Sequence, residues 1–255
     1  ISMKRIHFVT AVMILILAWS VVGYAQDFAH IEALLDRIEQ RSSFENTDFS
    51  ALVNMIVEDP EKGIEKIVVR QFSRNNGEKF LLLIQEPVAN KGQGHLRDGD
   101  SLWMYDPSSR KFAHTSLKEN FQDSDARNSD FVVESYATSY EIEGYEEGKL
   151  GNFAVYIVSL AAQSDNASVP YSKIWITKDT ELVLKVEEYS LNRRLMRTNL
   201  YPKYAKVGDN LIPVQMIFID ELVAGQKTQM SLSEVSTNDI PDHVFTKAYV
   251  ERVNR

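Results

Sequence analysis

A two-residue alternation of apolar and polar side chains recurs along most of the chain after residue 48. Successive side chains of a β-strand point to opposite faces, so this period predicts half-buried strands. The gaps are short and carry turn residues; Asn75-Asn76-Gly77 suits a tight hairpin, and Asp106-Pro107-Ser108-Ser109 reads as a second turn. Many consecutive strands with tight connections predict an antiparallel meander, closed or nearly closed. The predicted strands are Phe49–Val57, Ile64–Phe72, Lys79–Ile84, Ser101–Tyr105, Lys111–Thr115, Tyr140–Lys149, Asn152–Leu160, Tyr171–Thr177, Leu182–Tyr189, Leu195–Tyr201, Leu211–Ile219 and Thr228–Val235.

Three segments carry helical signals. Asp27 can cap a helix over Phe28–Arg41, because the apolar residues there fall on one stripe. A shorter helix is predicted over Ser129–Ala137, and a third from Pro241 or Asp242 to Val250.

Several strands are apolar on both faces, most clearly Phe80–Ile84 and Val214–Ile219. Each face then needs cover, from helices or from an apolar ligand. We therefore expect one mainly β domain, a strongly bent antiparallel sheet whose concave side carries the helices Phe28–Arg41 and Ser129–Ala137.

The first residues have the pattern of an export signal. Lys4 and Arg5 precede an uncharged run from Phe8 to Val22, and Gly23-Tyr24-Ala25 places small residues where a signal peptidase cuts. The alternative is a membrane anchor, but the run is shorter than the roughly 20 residues that span a bilayer. We expect residues 1–25 to be a cleaved signal peptide and residues 26–255 to be a periplasmic domain.

Charge and composition exclude several functions. The net charge of −8 disfavours nucleic acid as a partner, because an acidic chain repels phosphate backbones. The chain has no cysteine, which excludes disulfides, thiolate metal sites and cysteine nucleophiles. The domain must therefore rely on its own apolar core.

The sequence shows no catalytic motif. It lacks a G-x-S-x-G elbow, H-E-x-x-H and a phosphate-binding loop, and its histidines are scattered singly. Asp123, Asp125 and Glu134 have the spacing of calcium-loop ligands, but Arg127 and Asn128 stand where such a loop needs an acceptor and a glycine. A polar hinge is the preferred interpretation. We predict no enzyme, no cofactor and no metal.

One segment is more specific. Asp98-Gly99-Asp100-Ser101-Leu102-Trp103-Met104-Tyr105-Asp106-Pro107 resembles the D-G-x-x-L-W-x-Y-x-P stretch of periplasmic LolA-type lipoprotein carriers. The segments Glu86–Gly92, Phe121–Phe131 and Ile240–Thr246 are similar to a longer branch of that superfamily, the outer-membrane lipoprotein-sorting proteins. The resemblance covers nearly all of residues 26–255.

The resemblance implies an open antiparallel β-barrel, a half-barrel of the LolA/LolB type, closed by helices around an apolar cavity. It implies a monomeric shuttle without a cofactor. Such a shuttle receives a lipidated protein or a free lipid from an inner-membrane transporter, of ABC or RND type, and passes it towards the outer membrane. Carriers of the narrower LolA type latch the lid with an early-strand arginine that is followed by proline. Gln71 follows Arg70 here, so Arg70, Arg74 and Arg97 are only candidates for that role.

Two other functions remain open: a lipid-sensing module that regulates an inner-membrane transporter, and a lipid hydrolase, which lacks a visible nucleophile and base. For a carrier, we predict that the apolar cavity is lined partly by Leu82, Ile84, Trp103, Tyr105, Phe131, Trp175, Met216 and Phe218. The polar, acidic stretch that begins at Glu119 is expected to be weakly held and to act as a lid, with Glu119–Ala137 moving when cargo binds.

Overall fold

The computed structural model describes residues 28–133, 135–163 and 167–254. In this part of the chain, thirteen strands form one sheet in the order β6-β5-β4-β3-β2-β1-β13-β12-β11-β10-β9-β8-β7. The strands are β1 (Asp48–Asp59), β2 (Gly63–Arg74), β3 (Lys79–Glu86), β4 (Gly94–Asp98), β5 (Ser101–Asp106), β6 (Lys111–Thr115), β7 (Tyr140–Leu150), β8 (Phe153–Ala162), β9 (Tyr171–Thr177), β10 (Val183–Tyr189), β11 (Leu195–Val207), β12 (Asn210–Asp220) and β13 (Lys227–Ser236). The helices are α1 (Ala29–Ser42), α2 (Tyr136–Ser139) and α3 (Lys247–Val253).

All strand pairs are antiparallel, and β1 pairs with β13 to join the two halves of the meander. The edge strands β6 and β7 do not pair with each other, so the sheet stays open. The prediction of a mainly β, open antiparallel half-barrel is confirmed. The predicted Asn-Gly hairpin also forms, with Asn76 and Gly77 at positive φ between β2 and β3.

The concave, inner face of the sheet carries two main hydrophobic clusters and a smaller third one, made of Phe44, Phe49, Ala51, Ile212 and Val214. The first joins β1–β3, β12 and β13, with Val53, Met55 and Leu82 fully buried. The second lies on β7–β10, where α1 packs Ile31, Leu34 and Leu35 against the strands. This spacing of three and four residues puts the three side chains on one side of the helix, as the sequence predicts.

A long connection links the two edge strands. We call residues 116–133 the strap. Phe121 and Ala126 of the strap are fully buried in the first inner cluster, and Phe131 is nearly so. The predicted helix over Ser129–Ala137 is wrong in extent: a 3-10 turn covers Asn128–Phe131, Val132 is extended, and α2 begins only at Tyr136. The β-branched pair Val132-Val133 disfavours a continuous helix.

The C-terminal segment covers the opposite, outer face. A 3-10 turn over Asp242–Phe245 and helix α3 pack on β3–β5, where Val250 is fully buried. The third predicted helix is thus divided at Thr246, whose extended backbone begins α3 and whose hydroxyl accepts from the Tyr249 N–H.

No helix within the described ranges has the length and apolar character needed to cross a membrane. The predicted signal peptide, residues 1–25, and the proposed cap Asp27 lie outside the described residues.

Candidate functional site

A cavity of about 260 Å³ lies at the seam between the two inner clusters. The strap and the first cluster supply Phe131, Met216 and Phe218, while the second cluster supplies Val183 and Val186. The C-terminal turn of α1, Ile38 to Ser42, forms another part of the wall. The cavity follows from the fold: α1 and the strap each cover one half of the inner face, and the space between these two covers is left unfilled. Further apolar wall residues are Phe44, Phe49, Leu182, Leu211, Ile212, Met230 and Leu232.

The strap is tied to the sheet at a buried carboxylate. Asp125 is 4% exposed, and its two oxygens accept hydrogen bonds from Gln226 (2.7 Å) and Thr228 (2.8 Å) of the β12–β13 region. The Asp125 N–H in turn donates to the Thr228 hydroxyl at 2.9 Å. A buried carboxylate whose oxygens both accept hydrogen bonds fixes the strap to the sheet. The expectation that this acidic stretch buries little and is weakly held is therefore wrong.

A buried histidine fixes the next turn of the strap. His95 Nδ1 lies 2.9 Å from Asn128 Oδ1, and the Asn128 amide donates to the Ser116 carbonyl. With the amide so oriented, Nδ1 is the donor, and Nε2 is left to accept from Gln122 at 3.3 Å. Burial lowers the pKa of His95 to about 4, against the opposing effect of the Asn128 hydrogen bond, so the ring is neutral at pH 7.

The strap also contacts the hairpin between β2 and β3. The Val133 N–H donates to the Asn76 carbonyl at 3.1 Å, and a Cβ on Gly77 would lie 3.1 Å from the Val132 Cα. Glycine at 77 therefore provides both the positive φ of the turn and the space for the strap to approach.

Charged side chains form a network at one side of the cavity. Arg197 of β11 donates to Asp130 at 2.6 Å and to Asn199 at 2.6 Å, and Arg127 donates to Glu188 of β10 at 2.5 Å. Asn199 donates to the other oxygen of Glu188 at 2.7 Å. Asp130, Glu188 and Asn199 all line the cavity. The network holds two cations and two anions, and it joins the strap to the strands β10 and β11.

Arg197 is the most buried cation of this network, with its side chain 5% exposed. Burial opposes the charge, but the carboxylates of Asp130 and Glu188 raise the pKa of the guanidinium above its ordinary value. Its plane also packs over the Phe218 ring, 4.8 Å from the centroid. The Nη1 atom of Arg197 is buried and has no hydrogen-bond partner among the described residues.

The structure separates the eight residues predicted to line the cavity. Phe131, Met216 and Phe218 lie in its wall, and Leu82 and Ile84 are buried in the cluster beside it. Contact of these residues with a ligand stays a prediction.

The three other predicted residues are not among those that line this cavity. Trp103 and Tyr105 pack on the outer face with the C-terminal segment, and Trp175 alternates with the inward Ile174 and Ile176, its ring under the Lys185 ammonium. The outer face of the sheet is apolar as well, so the sequence alone does not show which face these side chains occupy, and a shift of one residue moves them from one face to the other.

The strap's arginine partner is not among the early-strand candidates. Arg70 pairs with Glu234, Arg74 with Asp48 and Asp242, and Arg97 donates to the Gly77 and Gly99 carbonyls. Sequence reasoning missed Arg197 and Glu188. One signal was present in the sequence: Glu188 is two residues after Val186, so the two side chains lie on the same, inward face of β10. A charged side chain on an apolar face requires a partner.

Solved structures share this fold. A LolA superfamily protein from Nitrosomonas europaea is 22% identical, with a TM-score of 0.73 over 86% of this chain and 98% of its own. A domain from Vibrio parahaemolyticus described as an outer membrane lipoprotein-sorting protein is 18% identical, with a TM-score of 0.76 over 87% of this chain and 98% of its own. A DUF1329 family protein from Desulfovibrio piger is 19% identical, with a TM-score of 0.73 over 86% and 97%. No curated protein matches the chain.

These likenesses show the fold: the chain has the open half-barrel fold of the LolA superfamily protein and of the lipoprotein-sorting domain. A family model described as "Uncharacterized protein" matches residues 76–252, and the chain belongs to that family.

Proposed function

We propose that this protein is a periplasmic carrier that holds the acyl chain of a lipid or a lipidated protein in the seam cavity and moves it towards the outer membrane. The single observation that carries the proposal is the mainly apolar cavity between α1, the strap and the inner face. The likeness in fold to a domain described as lipoprotein-sorting supports it. An inner-membrane transporter is the proposed donor.

The cavity suits one chain better than a bulky ligand. Its volume of about 260 Å³ is just below the range of ligand pockets, which run from roughly 300 to 1,000 Å³. Each methylene removed from water contributes about 0.8 kcal/mol, so even a ten-carbon chain contributes on the order of 8 kcal/mol. Closure of the empty cavity on its own side chains offsets part of this gain, which allows release.

The direct experiment fills the cavity. Val186→Phe and Leu182→Phe each enlarge a residue of the cavity wall. Val253→Phe is the control, because it makes the same valine-to-phenylalanine replacement at an exposed position of α3. Protein purified natively is extracted with organic solvent, and bound lipid is measured by mass spectrometry. We expect lipid with the unmodified protein and with Val253→Phe, and at least tenfold less with the two filling variants.

Transfer is measured with labelled lipid moving between donor and acceptor vesicles. Melting curves show whether each filling variant is folded, and two filling positions are used so that one unstable variant does not decide the result. Equal lipid content in folded filling variants and in the control would show that the cavity is not the binding site. Binding without transfer would favour a lipid-sensing module over a carrier.

A further inference from the structure

Two polar side chains of β2 lie in the wall of the seam cavity without a hydrogen-bond partner. The inner-face row of β2 begins with the apolar Ile67 and Val69. Gln71 and Ser73 continue this row, are 6% and 7% exposed, and line the cavity. Neither side chain forms a hydrogen bond within the part of the chain that the structure describes. The wall therefore presents one unpaired amide and one unpaired hydroxyl in an otherwise apolar row.

A ligand in the cavity can reach both groups. Among the described residues, the unpaired polar atoms that are closed off from solvent are Glu39 Oε2, Arg41 Nε and Arg197 Nη1. The amide of Gln71 and the hydroxyl of Ser73 are not among these enclosed atoms, so they stay open to the cavity that their residues line. A polar group that faces an apolar cavity is costly until it gains a partner. A polar group on the cargo is the partner that this part of the wall lacks.

The charges around the cavity exclude an ionic partner. The charged residues in its wall are each in an ion pair: Arg41, Asp130, Glu181 and Glu188. A carboxylate or phosphate beside Gln71 would add an uncompensated charge to a buried site. The polar group that fits this place is therefore neutral.

The spacing of the two side chains selects among neutral groups. The Gln71 amide offers a donor and an acceptor, and the Ser73 hydroxyl can act as either. Residues two apart on one face of a strand lie about 6.7 Å apart. A trans secondary amide points its N–H and C=O in opposite directions, so its two partners lie about 7–8 Å apart, whereas a hydroxyl with two partners spans only about 5 Å. An ester carbonyl only accepts, so it would leave the Gln71 oxygen unpaired.

We propose that Gln71 and Ser73 recognise the amide that joins an acyl chain to its head group. The amide N–H donates to Gln71 Oε1, and the amide carbonyl accepts from the Ser73 hydroxyl. The cargo is then an N-acylated molecule rather than an ester-linked lipid. This inference rests on the proposed function, because it names the cargo class of the same cavity.

The test compares matched eight-carbon ligands by calorimetry below their solubility limits. N-methyloctanamide has the N–H and the carbonyl, and N,N-dimethyloctanamide keeps only the carbonyl. Methyl octanoate replaces the amide by an ester, and octan-1-ol carries a hydroxyl. Each of the last three loses a hydrogen bond and leaves a buried group unpaired, so we expect N-methyloctanamide to bind about tenfold more tightly than any of them.

Two variants assign the preference to β2. Gln71→Met keeps the length of the side chain and removes its amide, so the ratio of the two amides should fall to about one. Ser73→Ala should weaken both amides about fivefold and keep their ratio. Because Gln71 has no partner in the empty cavity, Gln71→Met should not lower Tm, whereas the loss of a structural contact would. The control is Gln215→Met, the same replacement at an exposed position of β12 outside the cavity wall, which should keep the tenfold ratio.

The outcomes are distinguishable. Binding of the tertiary amide, the ester or the alcohol as tightly as N-methyloctanamide overturns the inference and leaves the carrier proposal standing, and so does a tenfold ratio that persists in Gln71→Met. Binding of none of the four ligands overturns the carrier proposal itself. The ratio in the unmodified protein decides even if a variant does not fold. N-octanoyl-serylglycinamide against N-octanoylglucosamine then assigns the amide to an acylated peptide or to an acylated sugar, whichever binds more tightly.

Discussion

Replacement of Thr228 by valine tests whether the strap is a fixed part of the core. Thr228 is fully buried, and its hydroxyl both donates to Asp125 (2.8 Å) and accepts from the Asp125 N–H (2.9 Å). Valine keeps the shape and removes both bonds. The buried carboxylate then keeps only Gln226 as a side-chain donor, and the backbone N–H loses its acceptor.

The expected loss of stability follows from these two bonds. A hydrogen bond to a charged group contributes about 1.5–3 kcal/mol, and an unsatisfied buried donor adds about 1–3 kcal/mol. We expect Thr228→Val to lower the free energy of unfolding by about 3 kcal/mol. For a domain of this size that corresponds to a fall in Tm of roughly 6–12 °C.

The assay is thermal and urea unfolding followed by circular dichroism. Thr237→Val is the matched control, because the Thr237 side chain is half-buried and makes no hydrogen bond within the part of the chain that the structure describes. A Thr228→Val loss below about 1 kcal/mol, or one equal to the control, would refute the view that Asp125 anchors the strap.

Two further predictions concern the outer side of the fold. The hydrogen bond from Arg74 holds the pKa of Asp48 below its usual value, so this pair stabilises the fold above about pH 4, and its contribution is lost as the pH falls through the lowered pKa. Asp48→Asn should therefore reduce stability at pH 7 and flatten the fall of Tm with pH below about pH 4. An unchanged slope of Tm against pH in this range would contradict the prediction. Trp103→Ala should lower the free energy of unfolding by about 2 kcal/mol in urea, because the ring packs with the C-terminal segment. The same change should leave lipid affinity unchanged in calorimetry. A loss of affinity without a loss of stability would show that Trp103 contacts the lipid instead.

The strands were predictable because their signals are local. Alternation and turn residues such as Asn75-Asn76-Gly77 specify a hairpin within a few residues of chain. The strand Gly94–Asp98 was missed, since five residues that include His95 and Arg97 carry too short a pattern. Its neighbour β5 was found, but its phase was misjudged, because α3 makes the outer face as apolar as the inner one.

The polar side of the cavity could not be predicted from local pattern. Arg197 meets Asp130 across 67 positions of sequence, and the two are brought together only because the strap crosses from one edge strand to the other. The polar composition of the acidic stretch before Ser129 predicts a weakly held polar hinge. Composition does not reveal that Asp125 and Asn128 are satisfied inside the fold.

The contacts that hold the strap and α1 to the sheet indicate where the acyl chain enters the cavity. To move the strap, the buried pairs of Asp130 and Arg127 must separate, the hydrogen bonds to the Asp125 carboxylate must break, and the fully buried Phe121 must leave the core. The C-terminal turn of α1 is held to the β9–β10 turn by Arg37 and Arg41, which both pair with Glu181, and the Arg37 side chain is 51% exposed. Arg41 also donates to the Thr180 and Glu181 carbonyls at 3.3 and 2.6 Å. Water screens an exposed pair of this kind, so the pair contributes little to holding the turn.

The wall of the cavity is therefore weakest at residues 38–42, while Ile31, Leu34 and Leu35 keep the rest of α1 in place. We expect this turn, rather than the strap, to open for the acyl chain. Hydrogen exchange should show faster exchange at 38–42 than at 121–128 in the free protein, and cargo should slow it at 38–42. Glu181→Gln, which weakens the exposed pair, should speed lipid uptake and leave stability within about 1 kcal/mol. Glu234→Gln is the control, because it weakens an exposed pair whose two residues do not line the cavity. Faster exchange at 121–128 than at 38–42 would return the entrance to the strap, since a gate must be the first part of the wall to open.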